Sequence, residues 1–348
     1  MKKSVCSIFI FLCANGVFPS LSKANLIKAN SNLEIIGKNR CNEMGAPHRV
    51  MVMVPGTLNS LVPGAPEDAI SANGNQFPYF SMAVRQVMES HFCAVHIISG
   101  LDYFGEFKKN GEHTFEQTLS WYNALISELD YKPEVWFYGH SAGGLYSLYA
   151  AHLNERNKAF QSLPIKKIVT MATPFNGVEF IDKLTSYNSF VAELVQKFIE
   201  TAWSIDLKGL WGLKKQNVRI FLYNLKLDPQ IEIHSFAGAQ STTYSANEIM
   251  NAIFLSPPLN ALQKLINSVS DGMVSLASVF NQTILNKQTQ DPIQYLYVQS
   301  HNDYQINLDH IEQVWDYRYL KVLGTTNSDY VLEQQIKVYN DILQMSGI

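Results

Sequence analysis

The sequence predicts one α/β domain, a mostly parallel central sheet flanked by helices, with two helical insertions. Two observations predict it. Short apolar runs rich in β-branched residues alternate with longer segments of helical character, the pattern of βαβ units joined by right-handed crossovers. At one junction of run and helix stands Gly139-His140-Ser141-Ala142-Gly143.

Residues 1–24 read as a secretory signal. Lys2 and Lys3 start it, Val5 to Phe18 is mostly apolar, and Ser22-Lys23-Ala24 offers small residues where a signal peptidase reads. The stretch is too short for a membrane span, and an uncleaved N-terminal anchor is the other reading. Cys13 follows the bulky Leu12, which argues against lipoprotein processing. The predicted mature domain is residues 25–348, exported to the periplasm or the medium. Losing Lys2, Lys3 and Lys23 takes the 27 Lys and Arg to 24 against 30 Asp and Glu, a net charge of −6. With no basic run anywhere, the charge argues against a nucleic-acid partner. Hydrophobic residues at 47% of 348 allow a sizeable core.

A polar lead-in runs to about His48. Arg49–Val54 is apolar and reads as a buried strand. Pro55 to Asn75, rich in Gly, Pro and Asn, is a loop. A helix over Tyr79–Ser90, a strand over Cys93–Ser99, a helix over Thr114–Leu129 and a strand over Glu134–Tyr138 follow. Then come a helix over Ala142–Asn154 and a strand over Lys167–Met171. The alternation breaks at 178–215, which reads as helix upon helix. There Leu194, Val195, Phe198, Ile199 and Trp203 share one apolar face, and Leu207, Leu210 and Trp211 follow. Strands return at Val218–Tyr223 and Ile231–Phe236, and a second helical insertion covers 246–268. A last strand over Tyr295–Gln299 precedes helices over His310–Leu323 and Tyr330–Gln344.

Cys41 and Cys93 are the cysteines left after signal removal, and each lies at the approach to a predicted strand, ahead of Arg49–Val54 and Ala94–Ser99. In an oxidising compartment, neighbouring strands would allow a Cys41–Cys93 disulfide; two free buried thiols are the alternative.

The pentapeptide at 139–143 has the strand–turn–helix context of a nucleophile elbow. Its glycines let neighbouring backbone approach while the turn exposes Ser141. A Ser hydroxyl needs a base, which in this arrangement follows it in the chain, with an acid between them. Of nine His, only His152, His234, His301 and His310 follow the elbow. His152 lies on the helix behind it and His234 sits mid-strand. His310, where a loop enters a helix, is the preferred base and His301 the alternative. Asp271, in Ser-Asp-Gly-Met-Val, is the preferred acid, to fix the His tautomer; Asp228, before Pro229, is the alternative. The amide N–H groups of Ala142 and Thr57 are the candidate oxyanion donors, Thr57 following the Pro55-Gly56 turn.

Together these residues resemble the secreted bacterial triacylglycerol lipases of the α/β-hydrolase fold. The likeness covers roughly 48–175, with patches at 231–243, 269–276 and 305–316. Their Gly-His-Ser-X-Gly-Gly elbow matches Gly139 to Gly144, and their Ala-Pro-His-X-Gly segment is similar to Ala172–Gly177. Their Asn-Asp-Gly-Leu-Val acid motif looks like Ser270–Val274, and their Asn-His-Leu-Asp loop shares its elements, reordered, with Asn307–His310. Pro55 stands where their first-strand loop has His. The resemblance implies an α/β-hydrolase acting on lipid or small esters without a cofactor. Their calcium site is not carried over, because no Asp here matches it. Phospholipase, thioesterase, acyltransferase or peptidase chemistry would use the same residues, and a non-catalytic binding protein would be expected to lose some of them. The apolar face near Trp203 and Trp211 would cap an acyl pocket or touch a lipid surface, or else pack on the sheet.

Overall fold

Strands buried on both faces need apolar side chains at every position, and the runs read above have them. In the computed structural model the described residues are 39–56, 79–102, 106–159, 162–179, 181–182, 212–238, 274, 276–280, 283–285, 292–294, 298–306, 308, 310, 313–314 and 328–348. Their strands are β1 (Arg49–Val54), β2 (Ala94–Ile97), β3 (Glu134–His140), β4 (Ile165–Met171), β5 (Glu232–Gly238), β6 (Thr283–Leu285), β7 (Pro292–Gln294) and β8 (Gln299–Ile306). Six form one sheet in the order β2-β1-β3-β4-β5-β8, each neighbouring pair parallel, while β6 and β7 pair antiparallel on their own. The helices are α1 (Met82–His91), α2 (Phe107–Ile126), α3 (Ala142–Arg156), α4 (Lys215–Tyr223), α5 (Leu276–Phe280) and α6 (Ser328–Met345).

Side-chain alternation along the strands divides the core in two. Val50, Val52, Val54, Val135 and Phe137 face one layer, with α2, α3 and α4. Met51, Met53, Trp136 and Tyr138 face the other, with α1 and α6. All five β1 core residues Val50 to Val54 are fully buried, each contributing roughly 1.5–3 kcal/mol of transfer free energy. Ser81 caps α1 by accepting from the Val84 N–H at 3.2 Å, and its hydroxyl donates to Gln335 of α6 at 2.8 Å, joining the two helices of that layer.

The sequence reading needs three corrections. Helix α2 starts at Phe107, not Thr114, because Phe107, Asn110, Gly111, Thr114, Phe115 and Thr118 continue one buried face. Val218–Tyr223 is not a strand but part of α4; Val218, Phe221 and Leu222 are buried at helical spacing. The last strand is Gln299–Ile306, starting where the reading ended it. It is an edge strand, polar in text, and its register against β5 jumps between Ser235↔Ser300 and Ala237↔Gln305. His301 therefore lies within β8 rather than after it. The 1–24 signal and the 246–268 insertion lie outside the described residues, as does most of 178–215.

Strands β1 and β2 are neighbours, and Cys41 and Cys93 are disulfide-bonded with Cα atoms 4.7 Å apart. The Arg40 N–H donates to the Cys93 carbonyl at 2.8 Å, and the Tyr131 hydroxyl donates to the Cys41 carbonyl at 2.8 Å. Among the described residues no helix is long and apolar enough to cross a membrane.

Candidate active site

Strand β3 runs straight into Ser141, which caps α3 with φ 54° and ψ −132°. A positive φ on a residue with a Cβ costs about 1–3 kcal/mol and persists only where the surroundings over-determine it. Here they do. The Ser141 N–H donates to the Met171 carbonyl at 2.9 Å. The Ser141 carbonyl accepts from the Gly144 N–H at 3.1 Å and from the Thr173 hydroxyl at 2.9 Å. A Cβ on Gly139 would lie 2.5 Å from the Gly144 nitrogen, and one on Gly143 would run into the Val54 carbonyl oxygen. These two positions admit only glycine, so strand, turn and helix close tightly around the serine.

The loop after β1 reaches the same point: a Cβ on Gly56 would sit 2.6 Å from the Ser141 Cβ. Ala142 opens α3, where helical N–H groups have no intrahelical acceptor. Thr57, the other oxyanion candidate, lies outside the described residues, as does Asp271. His310 is buried at 6% exposure, its ring centroid 4.7 Å from that of His140, one residue before the serine. Among the described residues the Ser141 hydroxyl makes no hydrogen bond, with His310 or otherwise. Catalytic hydrogen bonds of this kind are commonly long in unliganded enzymes and shorten around substrate.

The alternatives take other positions. His301 bonds His234 through ring nitrogens 3.1 Å apart and stacks on Phe236 at 4.3 Å, on β8 and β5. Burial pushes the pKa of both imidazoles down. Asp228 is a surface turn residue that accepts from the Gln230 N–H at 2.9 Å and pairs with Lys158 at 2.8 Å. His152 lies on α3, as the sequence indicated.

A relay unseen in the sequence holds His140. Gln313 donates from Nε2 to the Leu308 carbonyl at 3.2 Å, so its Oε1 faces the His140 Nε2, also at 3.2 Å, and accepts its proton. The His140 Nδ1 then accepts from the Tyr79 hydroxyl at 2.6 Å. The direction Tyr79 to His140 to Gln313 to Leu308 is thereby fixed, and it ties the elbow to the turn carrying His310. Burial first, and the neighbouring His310 second, hold the His140 pKa well below its ordinary value. His140 therefore stays neutral, as the relay requires. Gln313 stands in Leu-Asp-His-Ile-Glu-Gln-Val, a segment whose polar residues give no local signal that this amide is buried. Among the described residues no three His, Cys, Asp or Glu side chains converge to hold a metal.

No protein-family model and no curated protein sequence matches the chain. Solved structures do. A carboxyl esterase from a metagenome aligns with a TM-score of 0.55 at 14% identity, over 92% of this chain and 88% of that one. Lipase 1 from Pelosinus fermentans aligns at 0.53 and 12%, over 87% and 99%. Staphylococcus hyicus lipase aligns at 0.50 and 13%, over 86% and 96%. At these identities the likeness shows the fold: the chain has the α/β-hydrolase fold found in bacterial lipases and esterases.

Proposed function

We propose that the protein hydrolyses carboxylic esters, most of all lipid acyl esters, through Ser141, His310 and Asp271. The observation that carries this is Ser141 at φ 54° between β3 and α3, a strained turn that aims one hydroxyl at the carboxyl end of the sheet. Two features support His310 as base: its burial, and its position beside His140.

In the proposed reaction the Ser141 oxygen attacks the ester carbonyl carbon while its proton passes to His310. The resulting oxyanion takes hydrogen bonds from the Ala142 and Thr57 N–H groups. The carbon–oxygen bond to the alcohol then breaks, and the alcohol leaves with the proton from His310. Water attacks the acyl-enzyme, gives its proton to His310, and the acid departs as Ser141 regains its hydrogen. Asp271 holds the imidazole tautomer throughout. The preference for acyl lipids rests on the apolar face of the 178–215 insertion read in the sequence. Phospholipase, thioesterase and acyltransferase activity differ only in leaving group or acceptor. Export rests on the 1–24 signal and on the Cys41–Cys93 disulfide, a bond of oxidising compartments.

The test is hydrolysis of p-nitrophenyl esters from acetate to palmitate by residues 25–348, with labelling by a fluorophosphonate. Activity and labelling that vanish together in Ser141→Ala are the expected result. A folded protein that hydrolyses none of the esters and takes no label overturns the reading.

A further inference from the structure

A cleft of about 460 Å³ opens on the outer side of the α2–α3–α4 layer, within the roughly 300–1,000 Å³ range of small-molecule sites. It is separate from the elbow. His152, which lines it, is eleven residues beyond Ser141 on α3, about 16 Å at helical rise.

Several donors converge there. Helix α2 opens into the cleft through Phe107 and Lys108, behind Glu106 at its N-cap; its first turn holds no acid, and its first N–H groups have no intrahelical acceptor and, among the described residues, no side-chain cap. His152 is only 8% exposed. Its Nδ1 meets the Lys226 backbone, 2.9 Å from the amide nitrogen and 3.2 Å from the carbonyl oxygen, and among the described residues Nε2 has no partner. Arg156 and Lys108 line the cleft, and neither makes an ion pair or a side-chain hydrogen bond among the described residues. Glu106, exposed, is the acid on the rim. Burial lowers the pKa of His152, against the hydrogen bond with the Lys226 backbone, which raises it, and the charges of Arg156, Lys226 and Lys108 lower it further.

The rest of the lining is apolar. Phe107, Tyr149 and Phe221 are largely buried, and Ile220 stands 54% exposed at the edge. A bare anion has no use for such a wall.

We propose that this cleft binds a single-chain amphiphile with an anionic head, carboxylate or phosphate. The head sits against the start of α2, the His152 imidazole and Arg156, and the chain lies along Ile220 and Phe221. The proposal stands independently of the ester-hydrolase reading.

Calorimetric titration of the intact, disulfide-bonded chain with dodecanoate, dodecyl phosphate, dodecanol and inorganic phosphate, all as monomers, tests it. The variants are Arg156→Glu and Ile220→Ser, both at exposed positions that leave the core intact. Dodecanoate and dodecyl phosphate are expected to saturate one site whose affinity falls roughly tenfold or more in Arg156→Glu and severalfold in Ile220→Ser. Dodecanol should not respond to Arg156→Glu, and inorganic phosphate should bind far more weakly than dodecyl phosphate. Amphiphile bound near Ser141 would be untouched by either variant, so the variant-sensitive component is the signal. Equal dodecanoate affinity in parent and Arg156→Glu overturns the proposal. So does phosphate binding as tightly as dodecyl phosphate, or a Ile220→Ser variant that binds both amphiphiles unchanged.

Discussion

Replacing Gln313 by Leu removes the centre of the relay from Tyr79 to the His310 turn. Gln313 is fully buried, so the apolar substitute leaves the His140 Nε2–H and the Leu308 carbonyl without the partners they have at 3.2 Å. Each orphaned buried group costs about 1–3 kcal/mol, and the added apolar burial of Leu offsets part of the total. The expected net loss is about 3 kcal/mol, a fall of the urea midpoint by roughly 1 M. Catalysis should suffer separately, because the turn that carries His310 loses its tie to the elbow. Misplacing a catalytic group by about 1 Å costs up to 10²-fold, so kcat for p-nitrophenyl butyrate should fall about 10- to 100-fold with little change in KM. Tyr79→Phe, which orphans the His140 Nδ1, should cost about 1 kcal/mol. The two changes act on one imidazole, so the double variant should depart from additivity by about 0.5 kcal/mol or more. Urea unfolding followed by circular dichroism and steady-state kinetics supply both readouts. Strict additivity, or a Gln313→Leu protein that keeps both its midpoint and its kcat, would refute the reasoning.

Three further outcomes follow from the structure. Replacing Cys41 and Cys93 by Ser opens a loop spanning 52 residues and should cost about 4 kcal/mol on the chain-entropy account, read as a lower urea midpoint; an unchanged midpoint rules that account out. Gly143→Ala drives a methyl into the Val54 carbonyl, so fluorophosphonate labelling of Ser141 should be lost even in the folded fraction; wild-type labelling would show the elbow to be looser than described. His96, stacked on Trp121, has its pKa lowered to about 4 by burial, whereas an unfolded His titrates near 6.5. The unfolded chain therefore binds the proton first as pH falls. This contribution to stability is intact above about pH 6.5 and declines by about 1.4 kcal/mol per unit below it, roughly 3 kcal/mol by pH 4. His96→Phe should flatten the stability–pH slope in that window by one proton, and an unaltered slope would contradict the assignment.

The parts of the fold that were legible are those where burial is two-sided. Strands β1 and β3 read as strands because a parallel sheet covered on both faces leaves no polar alternation to confuse with helix. Helix α4 misled because Val218-Arg-Ile-Phe-Leu-Tyr223 is rich in strand-favouring residues, and its packing on the α2–α3 layer decided the outcome. Strand β8 was invisible because an edge strand with one neighbour can carry His301, Asn302 and Asp303. The elbow was legible because its steric demands are local, with Gly139, Ser141 and Gly143 meeting within one turn. The relay was not: His140 finds its partners 61 and 173 residues away, and no local pattern announces them.

The disulfide and the polar contacts around Cys41 pin the start of the described chain beside the entrance to β2, at the amino edge of the parallel sheet. The far end is pinned there too, where Lys167, early in β4, holds the carbonyl of Ser346. Ser141 stands at the opposite edge, beyond the seven residues of β3, roughly 23 Å of extended chain. A handle attached at the carboxyl end, whether an affinity tag, a fusion partner or a covalent link to a bead, therefore leaves from the side away from Ser141. Coupling through that terminus orients an immobilised layer of the protein with Ser141 facing the solution.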